Sequence, residues 1–198
     1  MSIKQTQVTG VILAGGQGRR MGGVDKGLIE WQGRPFIEHL LAALQAQVDA
    51  IIINANRNQA IYQSYGFPVI SDQAPDYQGP LAGLAAAMHT VKTLYILTIP
   101  CDSFYLAPDF AARMLQVLNT TQAELVIAHD GEQLQPTYAL VPITLLSNLE
   151  AFLARGERKL RAWYAEQRMA TVNCSDIAIM FKNINTPVHY QALQEGRL

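Results

Sequence analysis

The segment Gly15-Gly16-Gln17-Gly18-Arg19-Arg20-Met21-Gly22-Gly23-Val24-Asp25-Lys26 combines five glycines with three cations. Glycine lets backbone N–H groups come close to an anion, and Arg19, Arg20 and Lys26 supply charge that neutralises it, so the segment has the chemistry of a phosphate cradle. It follows neither of the common patterns. Met21 stands where a dinucleotide fingerprint has its third glycine, and no Gly-Lys-Ser/Thr closes a P-loop. A tight turn with solvated cations is the plainer reading of the same composition, and the crowding of three cations between residues 19 and 26 weighs against it.

Three further polar residues stand at the ends of apolar runs: Asn54, Asp72 and Asp102. Asp102, in Ile99-Pro100-Cys101-Asp102, follows a run that reads as wholly buried. A carboxylate there suits Mg²⁺, which takes one or two carboxylates together with phosphate oxygens and water; the structural alternative is a helix N-cap. Asn54 and Asp72 either recognise a base or ribose by hydrogen bonds or simply end a strand and cap the next helix. Cys101 has no nearby His to activate it and reads as packing. His129-Asp130 offers no acid/base pair, because neighbours on a strand point to opposite faces and Asp130-Gly131 is a turn signal. Arg155, Arg158, Lys159 and Arg161 form a local basic cluster, either a solvated helix face or a surface for an acidic substrate.

Those positions need elements to hold them. Short β-branched runs predict strands at Val8 to Ala14, Ala50 to Asn54, Val69 to Ser71, Leu94 to Ile99, Glu124 to Ala128 and Thr137 to Val141. Between them, helical spacing predicts helices at Pro35 to Gln47, Ile61 to Tyr65, Leu81 to Val91 and Pro108 to Leu118, with Pro35 suited to a first turn. Further helices are expected at Ile143 to Ala154 and Arg158 to Gln167, short strands at Ala170 to Cys174 and Ile177 to Phe181, and a last helix after Pro187 capped by Thr186. Alternation of this kind builds right-handed βαβ units, so the fold class is α/β with a largely parallel sheet, and ligands bind beyond the carboxyl ends of its strands.

Composition limits the partners. At 198 residues, 49% apolar and 16% charged, the chain has ample core material and corresponds to about 1.3 typical domains. A net charge of -1 argues against a broad basic face for nucleic acid or an anionic membrane. Apolar runs fall far short of a membrane span, and the polar start has no secretory h-region. Two cysteines and four scattered histidines give neither a disulfide framework nor zinc spacing, so a reduced, cytoplasmic setting is expected.

Val11-Ile12-Leu13-Ala14-Gly15-Gly16, then Arg20-Met21-Gly22, then Asp25-Lys26, resembles the L-A-G-G-x-x-x-R-M-G-x-x-D-K signature of nucleotidyltransferases that activate small phosphates with an NTP. Asn54-Ala55-Asn56-Arg57, Asp72, Gly79-Pro80-Leu81-Ala82-Gly83, Pro100-Cys101-Asp102 and Asn183-Ile184-Asn185-Thr186-Pro187 come in the order of the molybdenum cofactor guanylyltransferase family, and the resemblance spans essentially the whole chain. Ser103-Phe104 departs from the Thr-Pro-like pair expected after Asp102.

The resemblance implies a three-layer α/β/α Rossmann-like fold with a mostly parallel central sheet, as one nucleotidyltransferase domain over 1–198. Residues up to about 105 would bind the nucleotide and those from about 106 would form the acceptor side. It implies that GMP passes from GTP to the molybdenum-molybdopterin cofactor with release of pyrophosphate, with Mg²⁺ as cofactor. Leu13, Ala14 and Gly15 would contact guanine through the backbone, Asn54 and Asp72 would hold the nucleoside, and Lys26 and Arg20 would neutralise the triphosphate. Asp102 would bind the metal, and Gly83, Asn183 and Asn185 lie in segments tied to nucleotide or pterin binding. Implied protein partners are a molybdenum-insertion protein and the molybdoenzymes, or their chaperones, that receive the product. Gly15 after Leu13-Ala14, where cytidylyl relatives read Leu-Ala-Ala-Gly, favours GTP over CTP; a sugar-phosphate nucleotidyltransferase and a non-catalytic nucleotide-sensing module are the other readings.

Overall fold

The structure is a computed structural model that describes residues 7–16, 18, 21–72 and 79–197. Its first strand, β1 (Val8–Leu13), is buried on both faces, as its near-continuous apolar sequence requires. A small hairpin comes next, β2 (Glu30–Trp31) and β3 (Arg34–Pro35), leading into α1 (Phe36–Gln45). Then come β4 (Ala50–Asn54), α2 (Gln59–Gln63), β5 (Val69–Ile70), α3 (Pro80–Thr90) and β6 (Tyr95–Pro100). The second half comprises α4 (Phe110–Thr120), β7 (Leu125–His129), β8 (Leu134–Pro142), α5 (Leu146–Ala154), α6 (Leu160–Ala165), β9 (Met169–Asn173) and α7 (Pro187–Gln194).

Seven strands form one sheet in the order β5-β4-β1-β6-β8-β7-β9. Pairings β4–β5, β1–β4, β1–β6 and β7–β9 are parallel, whereas β8 is antiparallel to both neighbours. Every strand but β8 therefore runs the same way, and the sheet is mostly parallel as expected.

Alternation along the strands feeds two cores. Val8 and Ile12, Ile51 and Ile53, and Leu97 and Ile99 pack with α1 and α4 on one face. Val11, Ile52 and Ile96 pack with Leu81, Leu84 and Met88 of α3, Phe152 of α5 and Trp163 of α6 on the other. A third, smaller cluster of Ile29, Phe36, Phe104, Ile184 and Leu193 ties the end of the chain to the hairpin, with Trp31 and Tyr190 packed against it.

The sequence reading errs at Ile177 to Phe181, which is not a strand but part of a 3₁₀ segment, Ser175–Phe181. Its apolar run serves anchoring rather than pairing. Met180 and Phe181 enter the core while Ile179 stays exposed, and the Met180 carbonyl accepts hydroxyl hydrogen bonds from Ser103 at 3.0 Å and Tyr138 at 2.9 Å. The β2–β3 hairpin has no counterpart in the sequence reading, since two-residue strands leave no periodicity to detect.

Candidate active site

In a parallel sheet the strand order reverses between β1 and β6, whose connections leave in opposite directions, and the crevice beyond their carboxyl ends is the natural ligand site. Ala14 and Gly15, Asn54, Asp72 and Asp102 all lie at strand ends on this edge. Gly16 and Gly18 continue from β1, and Lys26 begins a 3₁₀ turn, Lys26–Leu28, that brings the chain back over the crevice. Arg20, expected to neutralise the triphosphate, lies outside the described residues, as does Arg19.

Lys26 and Asp102 meet across this crevice. Lys26 Nζ is 2.9 Å from Asp102 Oδ2 and donates a second hydrogen bond to Asn185 Oδ1. Both charged side chains are largely shielded, at 19% and 14% exposure. Asp102 Oδ1 is buried and has no hydrogen-bond partner among the described residues. An orphaned carboxylate oxygen is costly unless something satisfies it, so the donor set fits a small hard cation completed by phosphate oxygens. The N-cap alternative for Asp102 is not what forms: the next helix, α4, starts at Phe110. Among the described residues no group of three or more His, Cys, Asp or Glu assembles.

The second group lies at the ends of β4 and β5. Asn54 is 2% exposed and its Nδ2 donates to Asp72 Oδ1 at 3.0 Å. Asn56 completes the cage, with Nδ2 donating to Asp72 Oδ2 at 2.8 Å and Oδ1 accepting from the Asp72 backbone N–H at 2.9 Å. Asp72 is thus a fixed, half-buried carboxylate. Two glycines make room for this network. A Cβ on Gly83 would lie 2.3 Å from Asn54 Oδ1, and one on Gly15 would lie 2.9 Å from Asn56 Nδ2. The Leu13 carbonyl and Ala14 N–H extend the sheet pairing, to the Cys101 N–H at 3.1 Å and the Asn54 carbonyl at 2.7 Å.

Asn183 and Asn185 reach the site from the end of the chain. The Ile184 N–H donates to the Asp102 carbonyl at 3.0 Å, which registers both asparagines against β6. Asn183 Oδ1 accepts from the Tyr138 hydroxyl at 3.3 Å. Ser103, where the sequence departs from the pattern it resembles, holds this docking: it is fully buried and bonds the Met180 carbonyl, while Phe104 packs edge-on to Trp31. Thr186 caps α7, as expected.

Cys101 and His129-Asp130 behave as packing and turn residues. Burial first, then the carboxylates of Asp102 and Asp25, push the Cys101 thiol well up. Asp130 accepts from the backbone N–H groups of Glu132 and Gln133, each at 2.8 Å. The basic cluster is mostly committed: Arg155 pairs with Glu166 at 2.8 Å, Arg158 bonds the Leu153 carbonyl and Arg161 the Leu134 carbonyl, leaving Lys159 exposed.

Sequence reasoning gave no role to the residues that hold the loop from below. Asp25 is buried and accepts from Tyr62 at 2.6 Å and Asn58 at 3.0 Å. Arg57 reaches the carbonyls of Gly16 and Gly23. A polar run at a strand end, Asn54 to Asn58, was the available signal.

Residues 10–172 match the MobA-like NTP transferase domain. The chain is 49% identical over 190 residues to the molybdenum cofactor guanylyltransferase of Shewanella halifaxensis, covering 96% of this chain and 95% of that one. It is 48% identical to the same enzyme of Shewanella putrefaciens, covering 90% and 92%. Among solved structures, molybdopterin-guanine dinucleotide biosynthesis protein A from Archaeoglobus fulgidus superposes with a TM-score of 0.79 at 20% identity, over 94% of this chain and 97% of that one, a likeness of fold. With the β1 glycine loop, the β6 carboxylate and this match along nearly the whole length, the chain belongs to the MobA-like NTP transferase family.

Proposed function

We propose that this protein transfers GMP from GTP to the terminal phosphate of the molybdopterin-bound molybdenum cofactor, forming the guanine dinucleotide cofactor and releasing pyrophosphate. The observation that carries the reading is the meeting of Lys26 and Asp102 beside the glycine loop, in a chain 49% identical to a molybdenum cofactor guanylyltransferase.

An oxygen of the acceptor phosphate bonds to the α-phosphorus of GTP as the bond from that phosphorus to its bridging oxygen breaks, and pyrophosphate leaves with the electron pair. The attacking oxygen is already anionic, so no side chain has to remove its proton and no protein nucleophile is needed. What the protein must supply is alignment and charge neutralisation.

Lys26 and Arg20 neutralise the triphosphate. Asp102, through the Oδ1 that no described residue partners, would hold Mg²⁺, whose chemistry there is to offset charge on the phosphate oxygens. The Leu13, Ala14 and Gly15 backbone and the Asn54–Asp72 pair hold the guanosine, with Gly83 giving α3 room to pass Asn54. Asn183 and Asn185 face the acceptor, and residues from about 106 onward shape its side of the crevice. Molybdenum-insertion and molybdoenzyme partners remain part of this reading through the family resemblance.

Pyrophosphate release measured with the molybdopterin cofactor and GTP, CTP or ATP tests it. GTP is expected to be preferred. Preference for CTP would overturn the nucleotide assignment, and GTP binding without release for any phosphate acceptor would favour a nucleotide-sensing module.

A further inference from the structure

After β4 the chain does not turn away from the glycine loop but runs beneath it. Asn56 Nδ2 donates to the Gly15 carbonyl at 3.4 Å. Arg57 donates from Nη2 to the Gly16 carbonyl at 3.0 Å and from Nη1 to the Gly23 carbonyl at 2.8 Å. Asn58 and Tyr62 hold Asp25 at the far end. Asn58 takes a left-handed backbone, φ 50°, which Asn tolerates better than most residues. Of these side chains, Arg57 grips both limbs of the loop at once.

That grip has physical consequences. Gly22 and Gly23 adopt positive φ, 66° and 87°, and such glycines do little to hold a loop in one conformation. An unbraced loop must be ordered when its ligand binds, and that ordering subtracts from affinity. The guanidinium is planar with its donors in a fixed fork, so bonding two carbonyls through two nitrogens sets the distance between Gly16 and Gly23. It also draws two carbonyl oxygens, which would repel phosphate, onto a cation below the loop. Lysine, with one nitrogen, lacks this geometry.

We propose that Arg57 is a positioning residue for the nucleotide triphosphate: by clamping the Gly16 and Gly23 carbonyls it fixes the spacing of these two limbs of the glycine loop before GTP arrives. The inference rests on the reading of that loop as the triphosphate cradle. Arg57 acts through the loop and not on the reacting atoms.

The test compares wild type, Arg57→Ala and Arg57→Lys by calorimetric binding of GTP and of guanosine, steady-state kinetics, and amide hydrogen exchange over residues 14–26 without nucleotide. Arg57→Ala is expected to weaken GTP binding by about tenfold, equivalent to about 1.4 kcal/mol. Guanosine binding and kcat at saturating GTP should stay near wild type, while the free loop exchanges faster. Arg57→Lys is expected to track Arg57→Ala in exchange. Unchanged exchange in Arg57→Ala, equal losses for GTP and guanosine, or full recovery by Arg57→Lys would overturn the proposal. A wild-type protein that released no pyrophosphate would instead overturn the functional reading, and the exchange data would still decide whether Arg57 orders the loop.

Discussion

Lys26 Nζ lies 2.9 Å from Asp102 Oδ2, joining the glycine loop to the end of β6 across 76 positions of sequence. The pair places a cation and a carboxylate where the sheet's connections diverge, and Asn185 makes it a three-residue contact. Asp102→Ala is expected to lower GTP turnover by about a hundredfold or more, the scale of losing a preorganised electrostatic group, while far-UV circular dichroism stays native. Lys26→Ala should weaken triphosphate binding and slow transfer. Loss of the folded spectrum in Asp102→Ala would make that carboxylate structural, and unchanged kinetics in Lys26→Ala would remove it from the site.

Gly83→Ala and Gly16→Ala should behave oppositely. A methyl at residue 83 would sit 2.3 Å from Asn54 Oδ1, so the helix or the buried amide must shift, whereas one at residue 16 meets nothing within 4 Å. Thermal unfolding should show Gly83→Ala destabilised by about 1–3 kcal/mol. Gly16→Ala should remain within about 0.5 kcal/mol of wild type.

Much of this was readable in the amino-acid order. The runs Val8 to Leu13 and Tyr95 to Pro100 announce buried parallel strands, and the polar residues after them gather at one edge of the sheet. What escaped were contacts between distant segments. Nothing local says that Ser103 will bond the Met180 carbonyl, or that Arg57 will span the glycine loop, because those hydrogen bonds exist only once β4, β6 and the chain's end are assembled. Ile177 to Phe181 misled for the same reason: an apolar run shows that burial is needed, not whether a sheet edge is there to pair with.

Tyr62→Phe removes a buried donor from Asp25 Oδ1, a contact of 2.6 Å. Hydrogen bonds to charged groups contribute about 1.5–3 kcal/mol, so chemical denaturation should show a loss on that scale. A loss below about 0.5 kcal/mol would mean that Asn58 alone satisfies Asp25.

Alkaline pH should weaken the fold through its buried acids. Burial pushes the Cys174 thiol up to about 11 from an ordinary 9.0, and burial is also the largest cause raising Cys101 and Tyr62. The unfolded chain releases these protons first. For Cys174 the contribution to stability is therefore fully present below pH 9.0 and is lost as pH rises from there toward 11. The unfolding midpoint should be flat at neutral pH and fall above pH 9.0, with a shallower fall in Cys174→Ala. A midpoint that rises above that pH would contradict the assignment.

In the proposed transfer the α-phosphate of GTP, with its guanosine, ends on the molybdopterin cofactor. Incubating the protein with that cofactor, Mg²⁺ and GTP labelled at either the α- or the γ-phosphorus tests it most directly. The α-label should appear in the pterin product and the γ-label in pyrophosphate. Label from the γ-phosphorus in the product, or none from the α-phosphorus, would contradict it.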